Sequence, residues 1–342
     1  MKKARIAING FGRIGRLLYR QAFDAKDLEV VAINDLGDVE NLAYLLKYDT
    51  VYGRFPHNVS ADRKKNELIV DKKRIKVLQV KDPSELPWKN MKIDIAVEVT
   101  GLFESFEASR AHLKAGAKRV VLGAPAKDGE GRGRTVLVGI NEQILKKTRI
   151  SSNASCTTNS VAPVMEILSK APGIAKAFLG TVHAQTTTQN LADGPVRGGK
   201  DYRRGRAAGH NIAPSTTGAA IAVTRVIPKL KDKFDGLAYR VPIITGSMSD
   251  ITFIAKRNTS VEEINRILTK ASRSARWKGI LKVTNDQIVS SDIVGEPYGA
   301  IVDLSLTKVV DGNLVKVISW YDNEYGYVST LIRHLQKSAK LT

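Results

Sequence analysis

Three groups of residues in this 342-residue chain have types and spacings suited to chemistry. The first is a lone thiol, Cys156, in the run Ser155-Cys156-Thr157-Thr158-Asn159. The hydroxyls around it and the helical pattern after it place it at a strand-to-helix junction. There, helix N–H groups lower a thiol's pKa and favour the nucleophilic thiolate. On residue type alone a single cysteine is more often an inert buried thiol, and the junction reverses that reading. A nucleophilic thiol needs a base, and the chain offers five histidines, His57, His112, His183, His210 and His334. His57 falls in a meander, while His112 and His334 lie within helices as surface or packing residues. His183 ends the apolar run 177–182 and leads into the polar run Gln185-Thr186-Thr187-Thr188-Gln189, where strand ends meet a cleft. His183 is therefore the first candidate and His210 the second. A cysteine–histidine pair serves proteases, acyltransferases and aldehyde dehydrogenases alike.

The second group, Gly10-Phe11-Gly12-Arg13-Ile14-Gly15, separates the two classes of answer. Its glycines sit between an apolar run and a helical one, and Asp35 ends the next apolar run 20 residues after Gly15. Gly10, Gly12 and Gly15 then allow a tight turn and close approach of a pyrophosphate to a helix N-terminus. Asp35 accepts from the adenosine ribose and repels a 2′-phosphate, which favours NAD over NADP. A dinucleotide domain beside a thiol and an imidazole selects aldehyde oxidation. The third group binds anions: Arg203, Arg204, Arg206 and Arg240, with Ser215-Thr216-Thr217-Gly218 before the apolar stretch 219–223. Two separated hydroxyl-plus-arginine sets suit two phosphates.

The elements that must position these groups divide the chain in two. Through residue 122, apolar strands at 4–9, 28–34, 94–99 and 119–122 alternate with helical patterns, and a meander occupies 54–80. Strands separated by helices imply βαβ units and a mostly parallel sheet covered on both faces. After Cys156 the pattern changes. A helix at 158–169 is followed by longer strand-like runs at 177–182, 237–244, 249–256, 300–306 and 314–320. Ser260-Val261-Glu262-Glu263 is a helix-start signature. The glycine-rich, basic stretch 185–210 reads as a long loop, and the chain ends in an amphipathic helix over 327–340.

Composition excludes several classes. The hydrophobic fraction, 43%, is too high for a disordered chain, and one cysteine rules out a disulfide framework or a zinc site of paired cysteines. No apolar run is long enough to span a membrane, and the opening residues read as a first strand, not a signal peptide. The expected compartment is the reducing cytoplasm. The net charge of +20 points to anionic partners without choosing among nucleic acid, membrane and phosphorylated metabolites.

Five segments carry a resemblance over essentially the whole chain: 8–16 around the glycines, Leu46-Lys47-Tyr48-Asp49-Thr50, 152–159 around Cys156, Arg240-Val241-Pro242, and 319–327 with Trp320-Tyr321-Asp322-Asn323-Glu324. With these the chain resembles the phosphorylating glyceraldehyde-3-phosphate dehydrogenases. The resemblance implies an α/β fold: a Rossmann-type NAD-binding domain over 1–155, completed by the C-terminal helix 324–342. It implies an α+β catalytic domain with a large mixed or antiparallel sheet over 156–323, and a homotetramer. The implied substrates are glyceraldehyde 3-phosphate and inorganic phosphate. Cys156 would form a thiohemiacetal and then a thioester, with His183 as base. Arg13, Ile14, Asp35 and Asn323 would contact NAD. Thr186 and Arg240 would hold the substrate phosphate, and Ser155, Thr157, Thr217 and Gly218 the attacking one. No metal is implied. The alternatives are an erythrose-4-phosphate dehydrogenase and a basic protein contacting RNA or an anionic surface, with nucleic acid at most a secondary partner. The chain departs from the family pattern at Gly123 (usually serine or threonine), Ser160 (a second cysteine), Gln185 (tyrosine) and Ile243-Ile244-Thr245-Gly246-Ser247 (Thr-Pro-Asn-Val-Ser).

Overall fold

The computed structural model describes residues 3–196 and 200–342. They form two compact units, one running to Ala154 and taking in Leu331–Thr342, the other spanning Ser155–Thr330.

The first unit begins β1 (Ala4–Asn9), α1 (Arg13–Ala22), β2 (Leu28–Asn34) and α2 (Val39–Lys47). A meander follows, β3 (Val59–Asp62), β4 (Glu67–Val70) and β5 (Lys73–Leu78). Then come β6 (Ile95–Glu98), α3 (Phe106–Lys114), β7 (Arg119–Leu122), β8 (Arg134–Thr135) and β9 (Ile150–Ser152). The sheet order is β3-β4-β5-β2-β1-β6-β7-β9-β8. From β5 onward every neighbouring pair is parallel, and only the meander is antiparallel. β1 therefore sits where the chain winds outward in both directions, and such a reversal opens a crevice at the strands' C-terminal ends. The apolar strands are buried on both faces, with Ile6, Ile8, Ile33, Ile95 and Val97 all at 1% exposure or less. Each such side chain contributes about 1.5–3 kcal/mol by leaving water. Of the expected meander over 54–80, residues 54–58 form no strand, with a bend at 56–57, and pairing begins at Val59.

The second unit opens with α4 (Cys156–Leu168), β10 (Ile174–Ala184), β11 (Ala213–Thr216) and α5 (Ala219–Val226). It continues β12 (Phe234–Val241), β13 (Ser247–Ala255), α6 (Val261–Ser272), β14 (Leu281–Thr284), β15 (Ala300–Val310) and β16 (Leu314–Tyr321). The last helix, α7 (Tyr325–Ala339), belongs with the first unit from Leu331 on. The sheet order is β11-β12-β10-β13-β16-β15-β14, antiparallel except for the pairs β10–β12 and β14–β15. Of the expected loop at 185–210, residues 197–199 lie outside the described residues, and the rest holds one short helical turn, Tyr202–Gly205. Ser260 caps α6 by accepting from the Glu263 amide. The Glu263 side chain does not close the box; it turns to Arg257 and Thr259.

Among the described residues, no helix is long and apolar enough to cross a membrane.

Candidate active site

The first unit holds a cleft of about 270 Å³ lined by Asn9, Gly10, Gly12, Asp35 and Thr100 among others. Two of the three motif glycines are demanded by crowding. Gly10 sits at φ +96°, and a Cβ there would meet the Thr100 nitrogen at 2.7 Å; a Cβ on Gly15 would meet the Gly10 oxygen at 2.1 Å. Gly12 is the opposite case, with nothing within 4 Å of where a Cβ would stand. It faces open space at the start of α1. That helix also lacks the side-chain cap that Asp38, Ser105, Ser155 and Ser260 give α2, α3, α4 and α6. A bare, uncrowded helix start suits a pyrophosphate, so these residues fit a dinucleotide.

Asp35 has a second task that the sequence does not reveal. One carboxylate oxygen accepts from the Phe11 amide at 2.7 Å and the other from the Gly37 amide at 2.9 Å, so it ties the glycine turn to the β2–α2 loop. Arg13 has a side-chain partner that the sequence reading did not name. Its guanidinium is 2.5 Å from Asp49 and lies over the Tyr52 ring, because the 46–50 segment brings a carboxylate to it. Ile14 follows Arg13 in α1 and is partly buried. Gly123 is explained by its neighbour: a Cβ there would stand 2.4 Å from a Val99 methyl.

Beneath the cleft runs a buried polar chain. The Asn34 amide donates to Asn9 at 2.7 Å, and the Asn9 amide donates to Glu98 at 2.5 Å. Glu98 also accepts from the Thr100 amide and hydroxyl and from His112 Nε2, whose Nδ1 accepts from Trp88 Nε1. His112 is fully buried, not a surface residue, and so is His334, which contacts Ser151 and Asn153. The signal was present in the sequence: asparagines and a glutamate at the ends of apolar strands need buried partners.

The thiol site lies in the second unit. Cys156 is the first residue of α4, and Ser155 caps that helix, its hydroxyl accepting from the Thr158 amide at 3.0 Å. The Cys156 Sγ stands 3.4 Å from His183 Nε2. β10 and β12 run parallel with His183 beside Arg240 in register, and Arg240 Nη1 reaches His183 Nδ1 at 2.7 Å. Tyr321, which ends β16, completes the set. Its hydroxyl lies 2.8 Å from both Thr157 and Thr181, and its ring meets His183 edge-on. Neither Tyr321 nor Thr181 was given a site role from sequence, although Tyr321 lies in the 319–327 motif and closes an apolar strand.

Electrostatics correct one expectation. The helix start does not lower the thiol's pKa overall: burial pushes Cys156 up, outweighing the Arg240 charge and the Thr157 hydroxyl, which pull it down. Burial, and next to it Arg240, pushes His183 down to about 3. Both shifts favour the uncharged form of each partner.

The remaining anion-binding candidates have other hydrogen-bond partners, although the Arg204 charge acts on both His183 and Arg240. Thr186 bonds Thr188, and Thr217 accepts from the Ala219 amide where α5 begins; the space beside Gly218 is open. Arg204 donates to Ser215 and Thr216 of β11, while Arg203 pairs with Asp201 and Arg206 with Asp193. The second-choice base, His210, is exposed. Asn323 is buried, its side-chain oxygen accepting from Gly246, Ser247 and Thr245. Three neighbouring donors of the altered 243–247 segment thus converge on Asn323. Ser160 joins Ser249 and Ser319 in a buried hydroxyl row.

Both parts of the chain are similar to known proteins. Residues 4–106 match the family "Glyceraldehyde 3-phosphate dehydrogenase, NAD binding domain", and residues 155–323 match its "C-terminal domain". A glyceraldehyde-3-phosphate dehydrogenase of Thermotoga maritima is 49% identical over 341 residues, covering 99% of this chain and all of the relative. One from Mycobacterium avium is 48% identical over 335 residues, 96% of each. One from Clostridium pasteurianum is 46% identical over 341 residues, 98% of this chain and 99% of the relative.

Proposed function

Since the chain belongs to the glyceraldehyde-3-phosphate dehydrogenase family and is an NAD-dependent dehydrogenase, we propose that Cys156, His183 and Arg240 carry out its reaction. That reaction is oxidation of glyceraldehyde 3-phosphate with inorganic phosphate to the acyl phosphate. The contact of Cys156 Sγ with His183 Nε2 at 3.4 Å carries the assignment.

The sulfur attacks the aldehyde carbon as its proton passes to His183 Nε2, the nearest base, which hands it on to the new alkoxide. The hemiacetal hydroxyl then gives its proton to the imidazole as hydride departs, which leaves a thioester on Cys156. Bound NAD supplies the hydride acceptor. Gly10, Gly12, Gly15 and the main chain of Arg13 and Ile14 would receive its pyrophosphate, Asp35 its ribose, and Asn323 offers an amide donor. Inorganic phosphate attacks the thioester carbon and expels the thiolate. Arg240 and Thr186 would hold the substrate phosphate; Ser155, Thr157, Thr217 and Gly218 would hold the attacking one. A thioester keeps the free energy of oxidation in a bond that phosphate can still break.

We also propose a homotetramer. Phe178, Leu237 and Tyr239 stand exposed on one face of the second sheet, with Leu237 and Tyr239 in register with Gly180 and Val182 of β10. Leu306 and Leu314 are exposed as well. An apolar sheet face of this kind supports association with further copies. The proposed compartment is the cytoplasm, where a reactive thiol stays reduced. The matched family and the relatives named above support the glyceraldehyde 3-phosphate reading and not the erythrose-4-phosphate or polyanion ones.

The deciding measurement is NADH formation from glyceraldehyde 3-phosphate, with and without inorganic phosphate, for the wild type and Cys156→Ser. Turnover that needs phosphate and disappears in Cys156→Ser supports the mechanism. Equal turnover without phosphate, or an active serine variant, removes it. Light scattering reads the oligomer.

A further inference from the structure

The first sheet has a gap at the end of its strands away from the cofactor cleft. β1 and β2 pair along their length, but the register slips between Ile6 and Ala7, which leaves Val31 of β2 with no residue opposite. An extra residue of this kind bends its strand. On its other side β2 meets β5 only from Ala32 and Lys76 onward. Short of that point, residues 28–31 and 73–75 line a cavity of about 430 Å³. That volume falls within the range of small-molecule sites. The cavity lies at the first residues of β1 and β2, whereas the cofactor cleft lies at their last, Asn9 and Asn34.

Two features of its wall are left unused by the protein. Lys3, Arg5 and Lys73 donate to the main-chain carbonyls of Ala25, Met91 and Phe23, and among the described residues none of the three pairs with a carboxylate. A carbonyl partner does not cancel a cation's charge. Arg74 also lines the cavity, but Asp62 and Glu67 hold its guanidinium. Against these cations the wall carries one carboxylate, Glu29. Asp71 feels the Lys73 charge, yet His57 and the Asn58 amide already occupy it. The second feature is Tyr19. Its ring packs edge-on to Phe11 and beside Phe23, and its hydroxyl is buried without a hydrogen-bond partner. Burial, and after it the Asp71 charge, pushes the Tyr19 pKa up, so the hydroxyl keeps its proton and stays a donor without an acceptor. A buried donor left unmet is destabilising.

We propose that this cavity is a second anion site, which takes a phosphate ester with an apolar or aromatic body. Three cations without carboxylate partners suit a dianion. The Tyr19 hydroxyl gains an acceptor, and Phe23, Leu28, Val31 and Ile75 cover the body, which inorganic phosphate lacks.

The test titrates phenyl phosphate by calorimetry into NAD-loaded protein, so that the cofactor cleft is filled, for the wild type, Arg240→Ala, Lys73→Gln and Tyr19→Phe. Glutamine at 73 can keep the bond to the Phe23 carbonyl while losing the charge. A binding event should survive Arg240→Ala, which alters the reaction site, and weaken about tenfold in Lys73→Gln. Arg5→Gln makes the same comparison if Lys73→Gln fails to fold. Inorganic phosphate should bind more weakly than the ester. Without ligand, Tyr19→Phe should melt above the wild type, because the unmet donor is gone, and phenyl phosphate should raise its melting temperature less. Binding that disappears in Arg240→Ala, or an affinity unchanged in Lys73→Gln, overturns the proposal. So does a Tyr19→Phe shift in melting temperature that is the same with and without the ester, as a purely structural tyrosine requires.

Discussion

The two units each bury an imidazole, and they treat it differently. His112 in the first unit has one partner for each ring nitrogen, and the partners' chemistry agrees. The Trp88 indole can only donate, so Nδ1 accepts; Nε2 then donates to Glu98, which gathers further donors from Asn9 and Thr100. His183 in the second unit has two partners for one nitrogen and a thiol on the other. The difference teaches what burial is for in each place. A ring whose partners fix every proton is a strut, holding the ends of β1 and β6 under the cofactor cleft. A ring whose partners disagree can change its proton, and so it can do chemistry.

Substitution should separate the two rings by observable. The largest effect is expected for His183→Asn, which keeps a polar side chain but removes the base. Turnover should fall about 10²–10⁴-fold, while the urea midpoint stays close to wild type. A large loss of stability with modest loss of turnover would make His183 a strut as well. His112→Ala should do the reverse. It leaves a buried indole N–H and the Glu98 carboxylate short of a partner and opens a cavity, costing about 2–4 kcal/mol in urea unfolding. Iodoacetamide should still find Cys156 at the wild-type rate once the variant is folded.

A third imidazole sharpens the contrast through pH. Burial, helped by the Arg119 charge, pushes His334 down to about 3. Its folded pKa thus lies below its unfolded value, so the folded state resists a proton that the unfolded chain accepts. Stability linked to this ring is complete above about pH 6.5 and declines as pH falls toward 3, by up to about 1.4 kcal/mol per pH unit. His183, also at about 3, adds a contribution of the same sign. The wild type should lose denaturant resistance on acidification more steeply than His334→Asn, and parallel acid profiles would show that this ring is not the source. The smallest effect is expected for Gly123→Ser. Crowding against Val99, which lines the cleft, should weaken NAD binding by a few-fold at a cost of about 1 kcal/mol in stability. Tighter NAD binding would mean that the missing side chain, not the fit to Val99, governs that wall.

Much of this was legible before any coordinates. β1 and β2 carry the same bounds in sequence and structure because each is a nearly continuous apolar run ended by an asparagine. Cys156 and His183 stood out because a helix start and a strand end are local features. Partnership was harder to read. Nothing near Arg240 in sequence says that it lies beside His183; that follows from parallel pairing of two strands more than 50 residues apart. The upward push on the Cys156 thiol was missed for the same reason, since desolvation depends on everything packed around the sulfur and not on the helix start alone. Arg13 was assigned to the cofactor from its place in the glycine motif. Only the fold shows Asp49 reaching it first.

The register of β10 against β12 has a consequence for how such a chain can change over generations. Because His183 and Arg240 are aligned across two adjacent strands, one residue gained or lost within β12 ahead of Arg240 would swing it to the opposite face and bring Tyr239 or Val241 beside the imidazole. Both strands would still pair, and the sheet could still form. A single-codon slip inside β12 would therefore leave a paired sheet in which the imidazole has lost its guanidinium neighbour.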